Sequence, residues 1–311
     1  MPEGDSIRRT AIELHEALAG QDLIESDFRV PRFATLNLGG WTVSEVVPRG
    51  KHLLMRVVSP TTDSPATDRN ARQALTIHSH LKMEGSWQVY PPRGRWRKPG
   101  HTARCVLRTA TADVVGFSLG VLEVVPTAEE DQVVGYLGPD LLGPDWDPAE
   151  AERRLRAAPG VPLGVALLDQ RNVAGIGNIY RCEVCFLAGT HPATPVAEIS
   201  GLGTVLENAK RLLQANAGPI RRRTVGVDVI MDGLRGKGRG DSLRTAASGR
   251  PAAFGRPAAG RPATSYWVYR REHQPCLRCG TPIRRGVLGP ASGLEERDIY
   301  FCPSCQPEPE R

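Results

Sequence analysis

The sequence predicts an α+β protein in which a β-sandwich with one leading helix precedes a helical domain and a small cysteine-bound hairpin. Short β-rich runs separated by Gly, Pro and polar loops recur between Leu23 and Val125. Helical periodicity dominates from about Pro126, and two Cys-x-x-Cys motifs close the chain. The 311 residues are enough for two domains with separate cores.

The leading helix is predicted to start at Asp5 or Ser6, either of which can cap it, and to end at Gly20. Its buried face consists of apolar residues at helical spacing, namely Ile7, Ala11, Leu14 and Leu18. Strands of the sandwich are predicted at Trp41–Val47, His52–Val58, Ala74–His78, Ser86–Tyr90, Ala103–Leu107 and Ala112–Phe117. The polar stretch Ser59–Arg72 predicts a loop. Residues 1–125 form the N-terminal domain in this interpretation.

The rest of the chain is predicted to divide into three segments. Residues 126–232 form a helical domain, with helices at Pro148–Ala158, Leu163–Gln170, Asn178–Ala188 and Gly201–Ala217. Residues 233–264 are rich in Gly, Arg, Ala and Pro and include GRPAAFGRPAAGRPA, which cannot bury a core and predicts a flexible basic loop. Residues 265–311 form the cysteine-containing hairpin.

The net charge of +6 is unevenly distributed along the chain. Between Gly218 and Glu272, twelve basic residues face four acidic ones, so this segment carries +8. A second basic cluster, Arg93 to Lys98, surrounds Trp96. Such concentration favours a polyanionic partner, although a solvated basic linker has the same composition.

Membrane and secretory classes are not expected from this sequence. No apolar run approaches the roughly 20 residues that span a bilayer. The start MPEGDSIRR has no apolar core of a signal peptide. We therefore expect a reducing, cytoplasmic location, with nucleoid association if the polyanionic partner is a nucleic acid.

The four C-terminal cysteines predict one structural zinc ion. Cys276 and Cys279 form the first motif and Cys302 and Cys305 the second, with 22 residues between them. In a reducing compartment, paired motifs of this kind are tetrahedral zinc sites far more often than disulfides. Four thiolates leave no open coordination position, so the metal is structural.

The zinc ion is predicted to fix a hairpin made by Thr281–Arg285 and Ile299–Phe301. Arg284, Arg285 and Arg297 on this hairpin are candidate phosphate contacts or ordinary surface charges.

Three further cysteines are predicted to pack in the core. Cys182 and Cys185 share a face of a predicted helix and have no second pair nearby in the sequence. Cys105 alternates with apolar residues in a predicted strand.

A glycine turn joins two predicted helices in LGVALLDQRNVAGIGNIYRCEVC. Gly175 and Gly177 permit close backbone approach, and Asn178 stands at the N-cap position. Free amides at such a helix start hold a phosphate, to which the Asn178 side chain adds a contact. Alone, the turn is equally compatible with a simple cap.

The chain start offers a candidate nucleophile. Small residues at position 2 generally permit removal of the initiator methionine, which would expose the secondary amine of Pro2. An α-amine titrates near 7.7–8.0, far below the value of about 10.4 for lysine, so it is a feasible nucleophile near neutral pH. Glu3, the next residue, is a candidate for proton transfer. Lys51, in the turn PRGKHLL, is a candidate to protonate a leaving oxygen or to bind a phosphate. Each residue alone is common, and only their joint occurrence is informative.

Together, these segments resemble the formamidopyrimidine-DNA glycosylase and endonuclease VIII family. The resemblance rests on PEGDSIRR, PRGKHLL, HSHLKMEGSW, YLGPDLL, LLDQRNVAGIGNIYRCE, PCLRCG and RDIYFCPSCQ, which occur in family order over almost the whole chain.

The resemblance implies a β-sandwich with an N-terminal helix, a helix–two-turn–helix domain with a C-terminal zinc hairpin, and damaged DNA in the cleft between them. It assigns Pro2 as nucleophile, Glu3 as general acid/base and Lys51 as a catalytic lysine, and Asn178 and Arg297 as DNA-backbone contacts. Lys82, Met83 and Glu84 match the loop that fills the space left by a flipped nucleotide, with Met83 as the apolar wedge. A core position is the alternative for Met83.

The implied activity is that of a bifunctional glycosylase and AP lyase that acts through a Schiff base with β,δ-elimination. The Arg-Phe-Gly loop of purine-directed members is not recognisable, and GFSLGVLEVV stands in its place, which favours the endonuclease VIII branch and oxidised pyrimidines. The alternatives are a purine-directed glycosylase and a non-catalytic zinc-dependent protein that binds damaged DNA. We expect a monomer without a small-molecule cofactor.

Overall fold

A computed structural model describes residues 2–60, 73–229, 264–290 and 296–309 of the chain. Its α-helices are α1 Gly4–Leu18, α2 Asp131–Val134, α3 Pro148–Arg156, α4 Leu163–Ala166, α5 Asn178–Leu187 and α6 Leu202–Asn216. Its strands are β1 Glu25–Phe28, β2 Thr42–Arg49, β3 His52–Val58, β4 Ala74–His80, β5 Ser86–Tyr90, β6 Ala103–Arg108, β7 Asp113–Phe117, β8 Val121–Pro126, β9 Arg284–Leu288 and β10 Arg297–Phe301. Most of the predicted flexible loop and the tip of the C-terminal hairpin lie outside the described residues.

Two four-stranded antiparallel sheets form the N-terminal part of the protein. One has the strand order β1-β6-β7-β5 and the other β2-β3-β4-β8. Helix α1 contributes its apolar face, with Ile7 and Leu14 each 1% exposed, to the core shared with both sheets. The sequence did not separate β1 and β8 as strands, because β1 is short and β8 is half-exposed throughout.

The first helix starts earlier than predicted. Glu3 is its cap residue, and the Ser6 hydroxyl accepts a hydrogen bond from the Glu3 N–H at 2.9 Å. Asp5 lies instead in the first turn, where its carboxylate pairs with Arg222. The local sequence does not show that Asp5 forms a buried ion pair rather than the helix cap.

The helical domain has its own core between α3, α4, α5 and α6. Helix α4 ends at Ala166 rather than Gln170, because Asp169 forms a turn in which its side chain accepts the Arg171 N–H at 3.0 Å. The Gln170 side chain then accepts the Gly175 N–H and donates to the Ile176 carbonyl, which shapes the glycine turn before α5.

The C-terminal hairpin pairs β9 with β10, with Arg285 opposite Tyr300. The first strand begins three residues later than predicted. The Thr281 carbonyl and the Ile283 N–H bond to Cys276 and Gln274, so Thr281–Ile283 belongs to the first cysteine knuckle rather than to the hairpin. Gly280, with φ +79°, makes the reversal that permits this pairing.

Helix α5 is the element that joins the helical domain to the hairpin. The buried carboxylate of Glu183 accepts N–H groups from Trp267, Val268 and Tyr269 at 2.8–2.9 Å, as well as the Thr224 hydroxyl. Cys182 and Cys185 on the same helix are fully buried free thiols, which confirms their predicted core role, and Cys105 is likewise fully buried.

The architecture confirms the predicted α+β class with its sandwich, leading helix and cysteine-bound hairpin. Among the described residues, no helix has both the length and the apolarity that a membrane crossing requires. The three boundaries between the four predicted segments stay predictions.

Candidate active site and metal centre

A cavity of about 500 Å³ lies where the chain start meets a sheet, the helical domain and the hairpin. Its lining includes five of the predicted site residues, Pro2, Lys51, Lys82, Met83 and Arg297. They come from four separated stretches of sequence. The fold therefore brings these residues to one cavity.

Glu3 lies behind the cavity and is fully buried. Its carboxylate accepts the backbone N–H groups of Gly177, Ile179 and Tyr180, at 3.0, 2.8 and 3.3 Å. Burial raises the pKa of Glu3, against the opposing charges of Arg222 and Lys51. The amides predicted to be free for a phosphate at the start of α5 are thus taken by a carboxylate of the protein itself, which corrects that expectation.

Lys51 stands in the tight turn between β2 and β3. Gly50, at φ +56°, makes the turn, and its N–H donates to the buried carboxylate of Asp140 at 2.7 Å. Burial lowers the pKa of Lys51 to about 8, with Glu3 opposing the shift and Arg297 adding to it. An amine with this pKa can both give and take a proton near neutral pH.

Asn178 is the first residue of α5 rather than its cap, which is Gly177. Its side-chain amide donates to the Asp298 carbonyl at 3.0 Å, and its oxygen accepts a hydrogen bond from the buried guanidinium of Arg181. Arg181 also donates to the Asp298 carbonyl at 3.1 Å. The Asn178 side chain therefore links α5 to β10, and sequence reasoning missed Arg181 as its partner.

Lys82 and Met83 occupy the turn after β4. Lys82 has φ +52°, and Met83 is 67% exposed, which excludes the core alternative for this methionine. The connection from β7 to β8, Ser118–Gly120, lies beneath: a Cβ on Gly120 would stand 2.2 Å from Lys82 Cγ. The turn is therefore presented outward by a tightly packed support.

Arg297 is exposed at the start of β10 and faces the cavity. On the same hairpin, Arg285 pairs with Asp298 at 2.9 Å, so its charge is partly used within the protein. Arg284 is exposed.

A buried ion pair beside the chain start was missed from the sequence. The guanidinium of Arg222 binds both oxygens of the fully buried Asp5, at 2.6 and 2.5 Å. The two residues are 217 positions apart, so no local pattern could have joined them. The pair fixes α1 against the segment that follows α6.

A row of hydrogen-bonded rings that begins at the cavity was also missed. His52, His78 and Tyr136 are joined by hydrogen bonds of 2.7 and 3.0 Å, and His78 reaches Glu123 at 3.0 Å. His52 and His78 are 7% and 3% exposed. The alternation in HSH after a β-rich run was the signal that could have placed His78 and His80 together on one face of β4, opposite the core residue Ile77.

Among the described residues, the four predicted cysteines form a cluster that could hold a metal ion, because their sulfur atoms all lie within 4.8 Å of one another. The Sγ separations are 4.0 Å for Cys276–Cys305, 3.4 Å for Cys279–Cys302 and 3.5 Å for Cys279–Cys305. Four thiolates at about 2.3 Å from one tetrahedral ion lie about 3.8 Å apart, so the donor set fits a single metal ion.

Comparison with known proteins identifies the family. Residues 137–220 match the formamidopyrimidine-DNA glycosylase H2TH domain. The chain is 46% identical, over 99% of its length and 95% of the relative, to a protein of Streptomyces coelicolor named probable endonuclease 8 2. The chain belongs to the endonuclease VIII and formamidopyrimidine-DNA glycosylase family. It is a member of a family of DNA-repair enzymes, and the predicted resemblance is confirmed.

Other relatives agree with this assignment. This chain is also 39% identical to the DNA-(apurinic or apyrimidinic site) lyase Nei2 of Mycolicibacterium smegmatis, over 98% of this chain and 99% of the relative. Its fold is similar to that of the Lactococcus lactis enzyme crystallised with N7-benzyl-Fapy-dG DNA, with a TM-score of 0.68, 23% identity, and coverage of 99% of this chain and 100% of that one.

Gly177→Ala should disrupt the support of Pro2. A Cβ at this position would stand 2.3 Å from Glu3 Cδ, and the carboxylate cannot move without losing its amide partners. We expect a loss of roughly 1–3 kcal/mol in the free energy of unfolding, as for overpacked sites, together with weaker DNA cleavage at an abasic site.

Gly203→Ala is the matched control for this test. Its Cβ would meet only Glu152 Oε2 at 3.5 Å, in a helix where alanine is favoured. Urea unfolding measures the free energy of unfolding of both variants. A Gly177→Ala protein with the stability and activity of the control would contradict the role given to the Glu3 carboxylate.

Proposed function

We propose that this protein is a bifunctional DNA glycosylase and AP lyase of base excision repair, which removes oxidised pyrimidines through a Schiff base on Pro2. The observation that carries the proposal is the cavity that Pro2, Lys51, Lys82, Met83 and Arg297 line together. Damaged DNA is the partner, and the protein acts as a monomer in the cytoplasm.

The chemistry begins with the Pro2 amine, which is free once Met1 has been removed. Attack of a secondary amine on the sugar C1′ gives an iminium that is cationic without protonation. That cation withdraws electrons, acidifies C2′, and promotes elimination of the 3′-phosphate. The residues next to Pro2 are anchored by the hydrogen bond from Gly4 N–H to the Gly175 carbonyl and by the Glu3 carboxylate, so the position of the nucleophile is fixed before the substrate arrives.

Lys51 and Glu3 take part in the proton transfers of this proposal. Lys51 lines the cavity with a pKa of about 8, so a large fraction is protonated at neutral pH and can protonate a leaving oxygen or bind a phosphate. Glu3 keeps the general acid/base role assigned by the family resemblance, and its raised pKa supports proton transfer. The three hydrogen bonds that its carboxylate accepts from backbone N–H groups also make Glu3 the anchor of the adjacent Pro2.

Four residues are proposed to bind the DNA. Arg297 contacts the backbone directly from the rim of the cavity, and Asn178 contacts it from the junction of α5 and β10. Lys82 and Met83 enter the duplex, where the exposed methionine side chain fills the space left by the flipped nucleotide.

The preference for pyrimidines is supported by the short Ser118–Gly120 connection. It joins β7 to β8 and packs under Lys82. A connection of only three residues that is packed in this way is too short to reach the base opposite the lesion. We therefore assign the role of wedge to the Lys82–Met83 turn, which packs against this connection.

Borohydride trapping on duplex DNA with an abasic site tests the nucleophile. We expect the wild-type protein to form a covalent adduct, and Pro2→Gly to lose most trapping while it keeps its DNA affinity. Reduction converts the iminium to a stable amine, which a gel separates from free DNA. Trapping by Pro2→Gly at the wild-type level would place the nucleophile elsewhere. Failure of the correctly processed wild-type protein to trap would favour a protein that binds damage without cutting it.

Substrate choice is decided by parallel incision of duplexes with thymine glycol, 5-hydroxyuracil and 8-oxoguanine. We expect the two oxidised pyrimidines to be cut faster under single-turnover conditions. An abasic-site duplex is the control, because its cleavage needs no base recognition. Faster incision of 8-oxoguanine would replace the pyrimidine assignment with the purine-directed alternative.

We also propose that the four-cysteine cluster holds one structural zinc ion. All four donors are sulfur, and their spacing suits tetrahedral coordination without an open position. Cys276 and Cys302 are buried against Phe186 and Cys182 of α5, so the ion would fix the hairpin that presents Arg297.

Metal analysis of the purified protein should find about one zinc ion per chain. Cys279→Ser should lose the metal and weaken DNA binding, since Arg297 is then no longer held; Cys279 is the exposed member of the set, so packing changes little. Cys185→Ala, a core thiol outside the cluster, should keep the metal. A metal-free protein with an ordered hairpin would contradict the zinc assignment.

A further inference from the structure

A continuous row of hydrogen bonds crosses one sheet from the cavity wall to its far edge. Tyr136 Oη lies 3.0 Å from His52 Nε2, His52 Nδ1 lies 2.7 Å from His78 Nε2, and His78 Nδ1 lies 3.0 Å from Glu123 Oε2. His52, His78 and Glu123 belong to the adjacent strands β3, β4 and β8, and His78 is directly opposite Glu123 in the register. Tyr136 lines the cavity with Pro2 and Lys51.

The row has a single direction when both rings are neutral. A carboxylate only accepts, so His78 must donate from Nδ1 to Glu123 and accept at Nε2. His52 then donates from Nδ1 to His78 and accepts at Nε2, which leaves the Tyr136 hydroxyl as its donor. Each link therefore carries one proton that points from the cavity towards Glu123. The Tyr136 oxygen consequently offers its free lone pair to the cavity.

Burial keeps both rings neutral. It lowers the pKa of His52 to about 3, with the charges of His80, His78, Lys82 and Lys51 adding to the shift. Burial likewise lowers the pKa of His78, although Glu123 opposes it. The ends differ from the middle, because Tyr136 is 52% exposed and the Glu123 side chain 36% exposed. A buried polar core thus connects two accessible ends.

We propose that Tyr136, His52, His78 and Glu123 form a proton relay that accepts the proton of the attacking Pro2 amine and stores it on Glu123. The inference rests on the proposed Schiff-base function. The ammonium proton of Pro2 passes across the cavity that both residues line to Tyr136 Oη, as the Tyr136 proton moves to His52 Nε2. The Nδ1 proton of His52 moves to His78 Nε2, and that of His78 moves to Glu123.

The relay balances without any further reagent. After the transfer, the amine is neutral, Glu123 is protonated, and both rings carry their proton on Nε2. The reverse transfer delivers one proton through Tyr136 to the leaving group in a later step and restores the first set of tautomers. One proton is therefore borrowed and returned in each turnover. Tyr136 is a catalytic residue in this proposal, whereas the two histidines and Glu123 act through it.

Glu123→Gln separates relay from scaffold, because glutamine can still accept the His78 N–H but cannot take its proton. We expect single-turnover trapping on abasic DNA at least about tenfold slower than wild type, and the same for Tyr136→Phe, as for loss of a general acid/base group. The double variant should be no slower than the slower single variant, since both interrupt one unit. DNA affinity and the unfolding midpoint should stay at the wild-type level. Glu129→Gln, an exposed carboxylate outside the row, is the control.

Histidine nitrogen chemical shifts give a readout independent of activity. Both His52 and His78 are expected neutral and protonated on Nδ1 in the free wild-type protein. Rings that are charged or protonated on Nε2 would overturn the relay even if a variant failed to fold. Unchanged trapping rates in both single variants, or rate losses that multiply in the double variant, would also overturn it while wild-type trapping left the Pro2 proposal standing. A wild-type protein that does not trap at all would remove both.

Discussion

The bond between the Glu3 carboxylate and the start of α5 is the interaction on which the rest of the site depends. Helix N-termini attract anions through their unpaired N–H groups and their dipole. Here the anion belongs to the protein, and it joins the chain start to a helix more than 170 residues away, as the Gly177 bond spans 174 positions. Burying the Glu3 carboxylate without these donors would cost several kcal/mol of folding free energy. The packing of α1 and the ordered glycine turn therefore depend on each other.

The other walls of the cavity are tied to the same frame. Asp140 of the helical domain holds the turn of Lys51 through Gly50, and it also accepts the Leu142 N–H at 3.0 Å. Asn178 and Arg181 hold the β10 backbone beside Arg297. Helix α5 therefore contacts the chain start at one end and the hairpin along its side, while Glu183 fastens the segment that leads into the hairpin.

The sequence predicted those parts of the fold that follow from local pattern. Helix α1 has a regular apolar face, β3 is an uninterrupted β-rich run, and the cysteine spacing is specific for a metal cluster. Errors arose where a side chain or another backbone segment takes the backbone hydrogen bonds that the predicted element needs. Asp169 ended α4 early, and Thr281–Ile283 paired within the knuckle instead of in the hairpin.

The sequence named the residues of the candidate site but not the contacts that they make. Family motifs marked Pro2, Glu3, Lys51 and the cysteines. They did not reveal that Glu3 is buried, since its partners are backbone amides without a sequence signature. Asp5 and Arg222, and His78 and Glu123, are pairs from distant segments that only the folded chain brings together.

The wide sequence separation of these contacts has a consequence for folding. Closing a loop between Glu3 and Gly177 carries a large entropic cost, so this contact is favoured only after the intervening elements have their own cores. An N-terminal part released early from the ribosome would hold Pro2, Lys51 and Met83 but lack the helix that orders the first of them. In the proposed mechanism, cutting of DNA therefore requires that the chain has been completed through α5.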